Sequence, residues 1–147
     1  MPTHSETRRL PYSAQQMYDL VADVERYPEF LPWTAAARIK SRENFEDHEV
    51  LDADLVVSFK VFRERFASRV TLWPSDLRID TEYLDGPFKR MKSNWGFTDV
   101  NDAVDVSFFV DFEFRNAILQ ATATVFFNEA MTRVVRAFER RAADLYG

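Results

Sequence analysis

The sequence predicts an α+β fold in which one curved antiparallel sheet wraps around a long C-terminal helix. Three observations predict it. Apolar and polar residues alternate from about residue 35 to 115, the period of strands with one buried face. From Ile118 to Tyr146 the period becomes 3.6, with no internal Gly or Pro. The chain has 147 residues, which predicts one domain over 1–147 that buries about two-thirds of its unfolded surface.

The elements follow in order. Residues 1–9 are polar, and His4 is expected in a mobile tail. Ser13-Ala14-Gln15-Gln16 is a capping box, in which the Ser13 hydroxyl accepts from the Gln16 N–H and Gln16 reaches back. Met17, Leu20, Val21 and Val24 then mark one face of a short helix. Pro28 and Pro32 punctuate Tyr27-Pro28-Glu29-Phe30-Leu31-Pro32-Trp33 and allow at most a turn or two of helix.

The strand region has several runs of period two. Leu51, Ala53, Leu55, Val57 and Phe59 alternate with Asp52, Asp54 and Ser58. Phe62, Phe66, Val70 and Leu72 alternate with Arg63, Arg65 and Arg69, and Leu77, Ile79 and Thr81 follow. Turn signals stand at Asn44–Asp47, Pro74–Asp76, Asp85-Gly86-Pro87 and Asn101-Asp102. The last hairpin permits a register prediction. Pairing Phe97 with Val106 also pairs Trp95 with Phe108 and Met91 with Phe112 on one face. On the other face it sets Lys92 opposite Asp111 and Arg90 opposite Glu113. The C-terminal stripe, which includes Leu119, Ala123, Phe126, Phe127, Met131, Val134, Val135, Phe138 and Ala142, needs a large apolar partner. The inner face of the sheet is the candidate.

Composition narrows the chemistry. The chain has 19 basic against 24 acidic residues, a net charge of −5, which argues against general nucleic-acid binding and against DNA in particular. No cysteine is present, so thiolate metal sites and a cysteine nucleophile are excluded. Three glycines do not make a phosphate loop. The two histidines, His4 and His48, offer no nucleophile–base pair, and His48 reads as a residue of a solvated turn. No catalytic set, catalytic cofactor or metal site is expected. No stretch reaches the ~20 apolar residues of a membrane span, and the polar start lacks the apolar core of a secretory signal. A cytoplasmic protein is expected, with peripheral contact at the inner face of the cytoplasmic membrane as a variant.

Aromatic content is 15%, with 14 Phe, a large capacity to line an apolar volume. A dry core and a cavity between sheet and helix both account for it. Glu64 shares parity with Phe62 and Phe66, so it points to the apolar side, where a carboxylate must be paired, protonated or wet. Ser68, Thr81 and Ser93 share that facing. Outward Arg63, Arg65, Arg69, Lys89, Arg90 and Lys92 meet Asp52, Asp54, Asp111 and Glu113 on adjoining strands, which reads as a salt-bridged solvated face.

Ordered segments carry a family resemblance. Tyr12-Ser13-Ala14 through Gln16-Met17-Tyr18-Asp19-Leu20-Val21-Ala22-Asp23-Val24-Glu25, then Tyr27-Pro28 and Phe30-Leu31-Pro32-Trp33, resemble the opening of the coenzyme Q-binding START-domain family. Glu64-Arg65-Phe66 with Ser68, Gly86-Pro87-Phe88, Trp95 with Phe97, Phe112-Glu113-Phe114 and the ending Ala137-Phe138-Glu139 to Tyr146-Gly147 continue the likeness across nearly the whole chain. Thr34 departs from the Cys that many relatives carry after Pro-Trp.

The resemblance implies the helix-grip fold (START/Bet v-like) of the polyketide cyclase and lipid-transport superfamily, with short helices after the first strand. It implies an apolar ligand between sheet and helix: ubiquinone or a polyprenylated precursor, held by a lipid chaperone that supports respiration and quinone biosynthesis. The family also includes a bacterial ribosome-association toxin, so a ribosomal subunit is the alternative partner. The superfamily's polyketide cyclases and aromatases supply a third reading, for which Glu64 is the single acid–base candidate.

In the lipid reading, quinone carbonyls need donors, and Trp33, Trp95, Ser68, Ser93 and Tyr83 are the candidates, with Glu64 accepting from a ring hydroxyl. Leu55, Val57, Phe66, Val70 and Met91 line the tail from the sheet, with Phe108, Val110 and Phe112 beside them. Phe127, Met131, Val134 and Phe138 close it from the helix. Tyr27, Phe30, Leu31 and Trp33 form either a gate, where aromatic side chains meet the membrane surface transiently, or a helix connector packed over the cavity mouth.

Overall fold

The computed structural model describes residues 3–59 and 62–147. Ser13 caps the first helix, α1 (Ala14–Ala22), with both bonds of the capping box in place: its hydroxyl accepts from the Gln16 N–H at 3.1 Å and its own N–H donates to the Gln16 side chain at 3.0 Å. A 3₁₀ segment, Val24–Glu29, follows. The strands are β1 (Thr3–Leu10), β2 (Thr34–Asn44), β3 (Glu49–Phe59), β4 (Phe62–Trp73), β5 (Arg78–Asp85), β6 (Phe88–Val100) and β7 (Ala103–Phe114). They form one antiparallel sheet in the order β1-β7-β6-β5-β4-β3-β2. The C-terminal helix, α2 (Ala117–Tyr146), lies over β7, β1 and α1. This is the α+β helix-grip arrangement.

The β6–β7 register matches the sequence prediction at all five pairs: Phe97↔Val106, Trp95↔Phe108, Met91↔Phe112, Lys92↔Asp111 and Arg90↔Glu113. Charge extends the same logic across the sheet. On the outer face the principal charges change sign at every strand: Arg38 and Lys40, then Asp52 and Asp54, Arg65 and Arg69, Asp80 and Glu82, Arg90 and Lys92, Asp111 and Glu113, and Arg9 on β1. Close pairs include Arg69–Asp52 at 2.9 Å, Arg65–Asp54 at 3.0 Å, Arg90–Glu113 at 2.5 Å and Arg9–Asp105 at 2.8 Å. Each exposed pair adds little, yet a one-residue slip would place all of them wrongly.

The N-terminal segment is not a mobile tail. Residues 3–10 form an edge strand paired along β7, and His4 bonds Glu6 at 2.7 Å with its ring 6.1 Å from that of Phe127. Its polar alternation hid the strand, because the inward side is filled by His4, Glu6 and Arg8, which bond one another and Glu139 of α2. His48 is also more than a solvated residue: it is stacked between Phe45 and Trp73, with ring centroids at 4.6 and 4.5 Å.

The core fills one end of the grip. Met17, Val21, Leu51, Val104 and Ala142 are sealed there with Trp95, Phe97, Phe108 and Phe138. The inward positions expected of the Phe59, Phe62, Ala123 and Phe126 side chains lie outside the described residues.

Candidate ligand-binding site

The concave face of the sheet is unequal along its length. Toward α1 its residues are packed, and the enclosed space there is a void of about 10 Å³ lined by residues that include Met17, Trp95, Phe108, Val135 and Phe138. That volume holds about one water. Trp95 is buried, its ring 4.4 Å from Phe108 and 5.0 Å from Phe138. Val70, Val110, Phe112 and Phe127 are likewise buried in the core cluster.

At the other end the apolar surface is only half covered. Leu55, Val57 and Phe66 are half-buried and stand outside the core cluster, and Met91, Met131 and Val134 are half-buried at its margin. Above this half-covered trough α2 carries Ile118 and Val125, 78% and 75% exposed, on the helix face turned away from Phe127 and Phe138. Asn116 starts that helix, accepting from the Ile118 and Leu119 N–H groups at 2.8 and 3.1 Å.

Gly86 shapes the trough wall. Its φ is +142°, and a Cβ there would lie 2.6 Å from the Phe66 Cβ. The missing side chain lets the β5–β6 turn settle on β4. Phe88 then meets Phe66 edge-on at 5.3 Å, Tyr83 at 5.5 Å and Phe114 face-on at 4.8 Å.

Four hydroxyl residues stand together on the trough floor. Ser68 pairs with Tyr83, Thr81 with Val70 and Ser93, on the neighbouring strands β4, β5 and β6. Ser68 is 2% exposed; Thr81, Tyr83 and Ser93 are half-buried. The Ser68, Thr81 and Ser93 hydroxyls make no hydrogen bond among the described residues. The Tyr83 oxygen accepts from the Phe88 N–H at 3.2 Å, leaving its own proton to donate elsewhere. A sheltered hydroxyl without a partner costs ~1–3 kcal/mol, which a ligand oxygen can offset.

Glu64 has the predicted facing, opposite Val57, and it is exposed near the strand end, in line with the wet-rim alternative for its carboxylate. The segment read as a gate or as a connector packs inward. Tyr27 and Phe30 meet the Phe138 ring edge-on at 5.5 and 5.3 Å, and the Tyr27 hydroxyl donates to the Val21 carbonyl. Burial pushes the Tyr27 phenol above its ordinary pKa. Arg141 fastens this segment by bonding Glu29 at 2.7 Å and lying 5.2 Å over Phe30. Leu31 and Trp33 are half-buried, Trp33 at φ +62°. The short spacing to Pro32 gave no sign that α2 would clamp these rings. Sequence reasoning gave Thr81 and Tyr83 little weight; their shared parity with Ile79 was the available signal.

A family model described as polyketide cyclase / dehydrase and lipid transport matches residues 10–139. The chain belongs to this family. Within it, the chain is 36% identical to the ribosome association toxin RatA of Rickettsia prowazekii, over 99% of both chains. It is 33% identical to coenzyme Q-binding protein COQ10 homolog B of Xenopus laevis, over 98% of this chain and 59% of that one. The solution structure of the 18 kDa protein CC1736 from Caulobacter crescentus is 36% identical, with a TM-score of 0.84 over 100% of this chain and 99% of that one. The Zhui aromatase/cyclase from a Streptomyces species shares the fold at 18% identity, with a TM-score of 0.81 over 97% and 93% of the two chains. Among the described residues no helix is long and apolar enough to cross a membrane, and no acidic or histidine cluster fits a metal ion.

Proposed function

We propose that the protein is a non-enzymatic carrier of a polyprenylated quinone or its ring-hydroxylated precursor, held in the trough between β3–β6 and the first half of α2. The observation that carries the reading is the group of uncommitted hydroxyls, Ser68, Thr81 and Ser93, with the Tyr83 proton, set in an apolar wall. Quinone carbonyls are acceptors, and these groups are donors. Leu55, Val57, Phe66, Met91, Met131 and Val134 meet the tail. Each CH₂ removed from water contributes ~0.8 kcal/mol, which keeps the lipid in the protein during transit but nearly cancels when the donor is a membrane. Head-group selectivity therefore rests on the hydroxyls. The name of the Xenopus relative supports the quinone.

Tryptophan quenching by a short-chain ubiquinone tests this reading. Saturable binding is expected, and Ser68→Ala/Thr81→Val/Tyr83→Phe should weaken it by about tenfold or more, the worth of one or two hydrogen bonds. Absence of binding to the unsubstituted protein, with no prenylated lipid in an organic extract of it, overturns the proposal.

Whole-length identity to proteins named as ribosome association toxins favours a second reading, association with a ribosomal subunit. Co-sedimentation with purified subunits separates the two. The cyclase reading has the weakest support, since its one acid–base candidate, Glu64, sits on the rim.

A further inference from the structure

A second concavity lies on the far side of α2, away from the trough. It is a groove of about 430 Å³ between the exit of β1 (Leu10, Pro11, Tyr12) and one face of the helix (Arg136, Glu139, Arg140, Ala143). That volume is within the range of small-molecule sites. Its charge is unlike that of the sheet's outer face, where cations stand opposite acids. Arg136 and Arg140 are exposed, one helical turn apart, and neither has an ion pair among the described residues. The one carboxylate in the lining, Glu139, is already taken by Arg8 at 2.8 Å. The groove thus offers two guanidinium forks and the Tyr12 hydroxyl, which has no hydrogen bond among the described residues. Its free groups are donors. Asp144, a turn beyond Arg140, is outside the lining. Both arginines lie more than one turn before the helix end at Tyr146, so the negative pole of the helix acts weakly on an anion there.

We infer that this groove binds a nucleotide: Arg136 and Arg140 hold the phosphate and the Tyr12 ring carries the base. Guanidinium groups match phosphate oxygens in pairs, and an aromatic face stacks any base. Tyr12 is half-buried and braced by Tyr146, with ring centroids 6.1 Å apart, while the Tyr146 hydroxyl donates to the Gln16 carbonyl at 3.1 Å. The platform is therefore fixed before a ligand arrives. The apolar Leu10, Pro11 and Ala143 complete a surface suited to a flat ring beside an anion. The site is independent of the trough and of the lipid reading.

The test is a titration of the full chain, followed by amide NMR, with AMP, inorganic phosphate, citrate and a tetrauridylate. AMP should saturate with a Kd below about 1 mM and shift the signals of Tyr12, Arg136 and Arg140. Arg136→Gln/Arg140→Gln should weaken AMP and phosphate by about tenfold or more, with Tm unchanged because both side chains are exposed. Tyr12→Leu, which keeps bulk against Tyr146, should weaken AMP several-fold and leave phosphate as it was. The tetrauridylate identifies the source: tighter binding than AMP assigns the groove to an RNA strand, equal binding to a free nucleotide. No saturation by AMP at about 10 mM overturns the inference. So does citrate binding as tightly as AMP, or AMP binding that is indifferent to the arginine substitutions.

Discussion

The two halves of α2 have the same backbone geometry and different physics. The second half places Val135, Ala137, Phe138 and Ala142 in the core and is tied to the rest of the chain by Arg8–Glu139 and Arg141–Glu29. The first half exposes Ile118 and Val125, and Thr122 and Thr124 turn their hydroxyls back to the Ile118 and Gln120 carbonyls. β-branched residues and back-bonded threonines are poor helix formers, and little tertiary burial supports them here. An isolated stretch of this length is marginal in water. The helix is thus anchored along its C-terminal half, while its start is held by the Asn116 cap, by the Gln120 side chain accepting from the Phe114 N–H, and by the buried Phe127 ring. Local opening is expected where the trough is, and not where the core is.

Truncation gives the largest effect. Phe138→Ala removes a ring that Tyr27, Phe30 and Trp95 all touch, and it should cost about 3–5 kcal/mol in denaturant unfolding. Phe66→Ala removes the same ring from the half-covered end and should cost about 1–2 kcal/mol. Equal costs would mean that the trough is as well packed as the core, and the comparison would fail.

Gly86→Ala comes next. The added Cβ meets the Phe66 Cβ and Cα, at 2.6 and 2.9 Å, and the backbone holds a positive φ, so neither side can yield cheaply. A loss of about 2 kcal/mol or more is expected, with quinone binding weakened because Phe88 is displaced from the trough wall. A stable variant that still binds would separate this turn from the site.

Much of this was legible in the sequence because period and charge are local signals. The β6–β7 register followed from matching two faces at once, and the outer face of the sheet repeats that logic strand by strand. The hydroxyl facing of Ser68, Thr81 and Ser93 followed from parity alone. The unread parts depend on tertiary contact. β1 was missed because its inward residues, His4, Glu6 and Arg8, satisfy one another and so look solvent-facing. The inward turn of Tyr27 and Phe30 needed Phe138 and Arg141, more than 100 residues away. Which of Trp95 and Phe66 is core and which is trough depends on where the helix leans, and parity does not contain that.

Alkali should act on the closed end. Burial raises the Tyr18 phenol to about 12, and burial also raises Tyr27. A phenol protonated in the fold but ionised near pH 10 when unfolded stabilises fully below pH 10. That stability is lost as pH rises from 10 toward 12. For Tyr18 the loss is at most about 2–3 kcal/mol. Tyr18→Phe should flatten the fall in Tm over that window and leave Tm at pH 7 nearly unchanged. An unaltered alkaline profile would show that the phenol is reached by water in the fold.

The smallest stability effect carries the most about function. Ile118→Ser and Val125→Ser remove apolar groups already in water, so each should change stability by no more than about 0.5 kcal/mol. Quinone uptake from vesicles should nonetheless slow several-fold if these side chains pass the lipid into the trough. Hydrogen exchange supplies the second measurement. Amides from 118 to 130 should exchange faster than those from 131 to 143, and added ubiquinone should slow the first group only. Protection that is uniform along α2, or ligand protection confined to the second half, would place the moving part of the molecule elsewhere. The two results together decide the matter, since a surface substitution that alters uptake without altering stability acts on the entry step, and exchange shows whether that step involves opening the first half of α2.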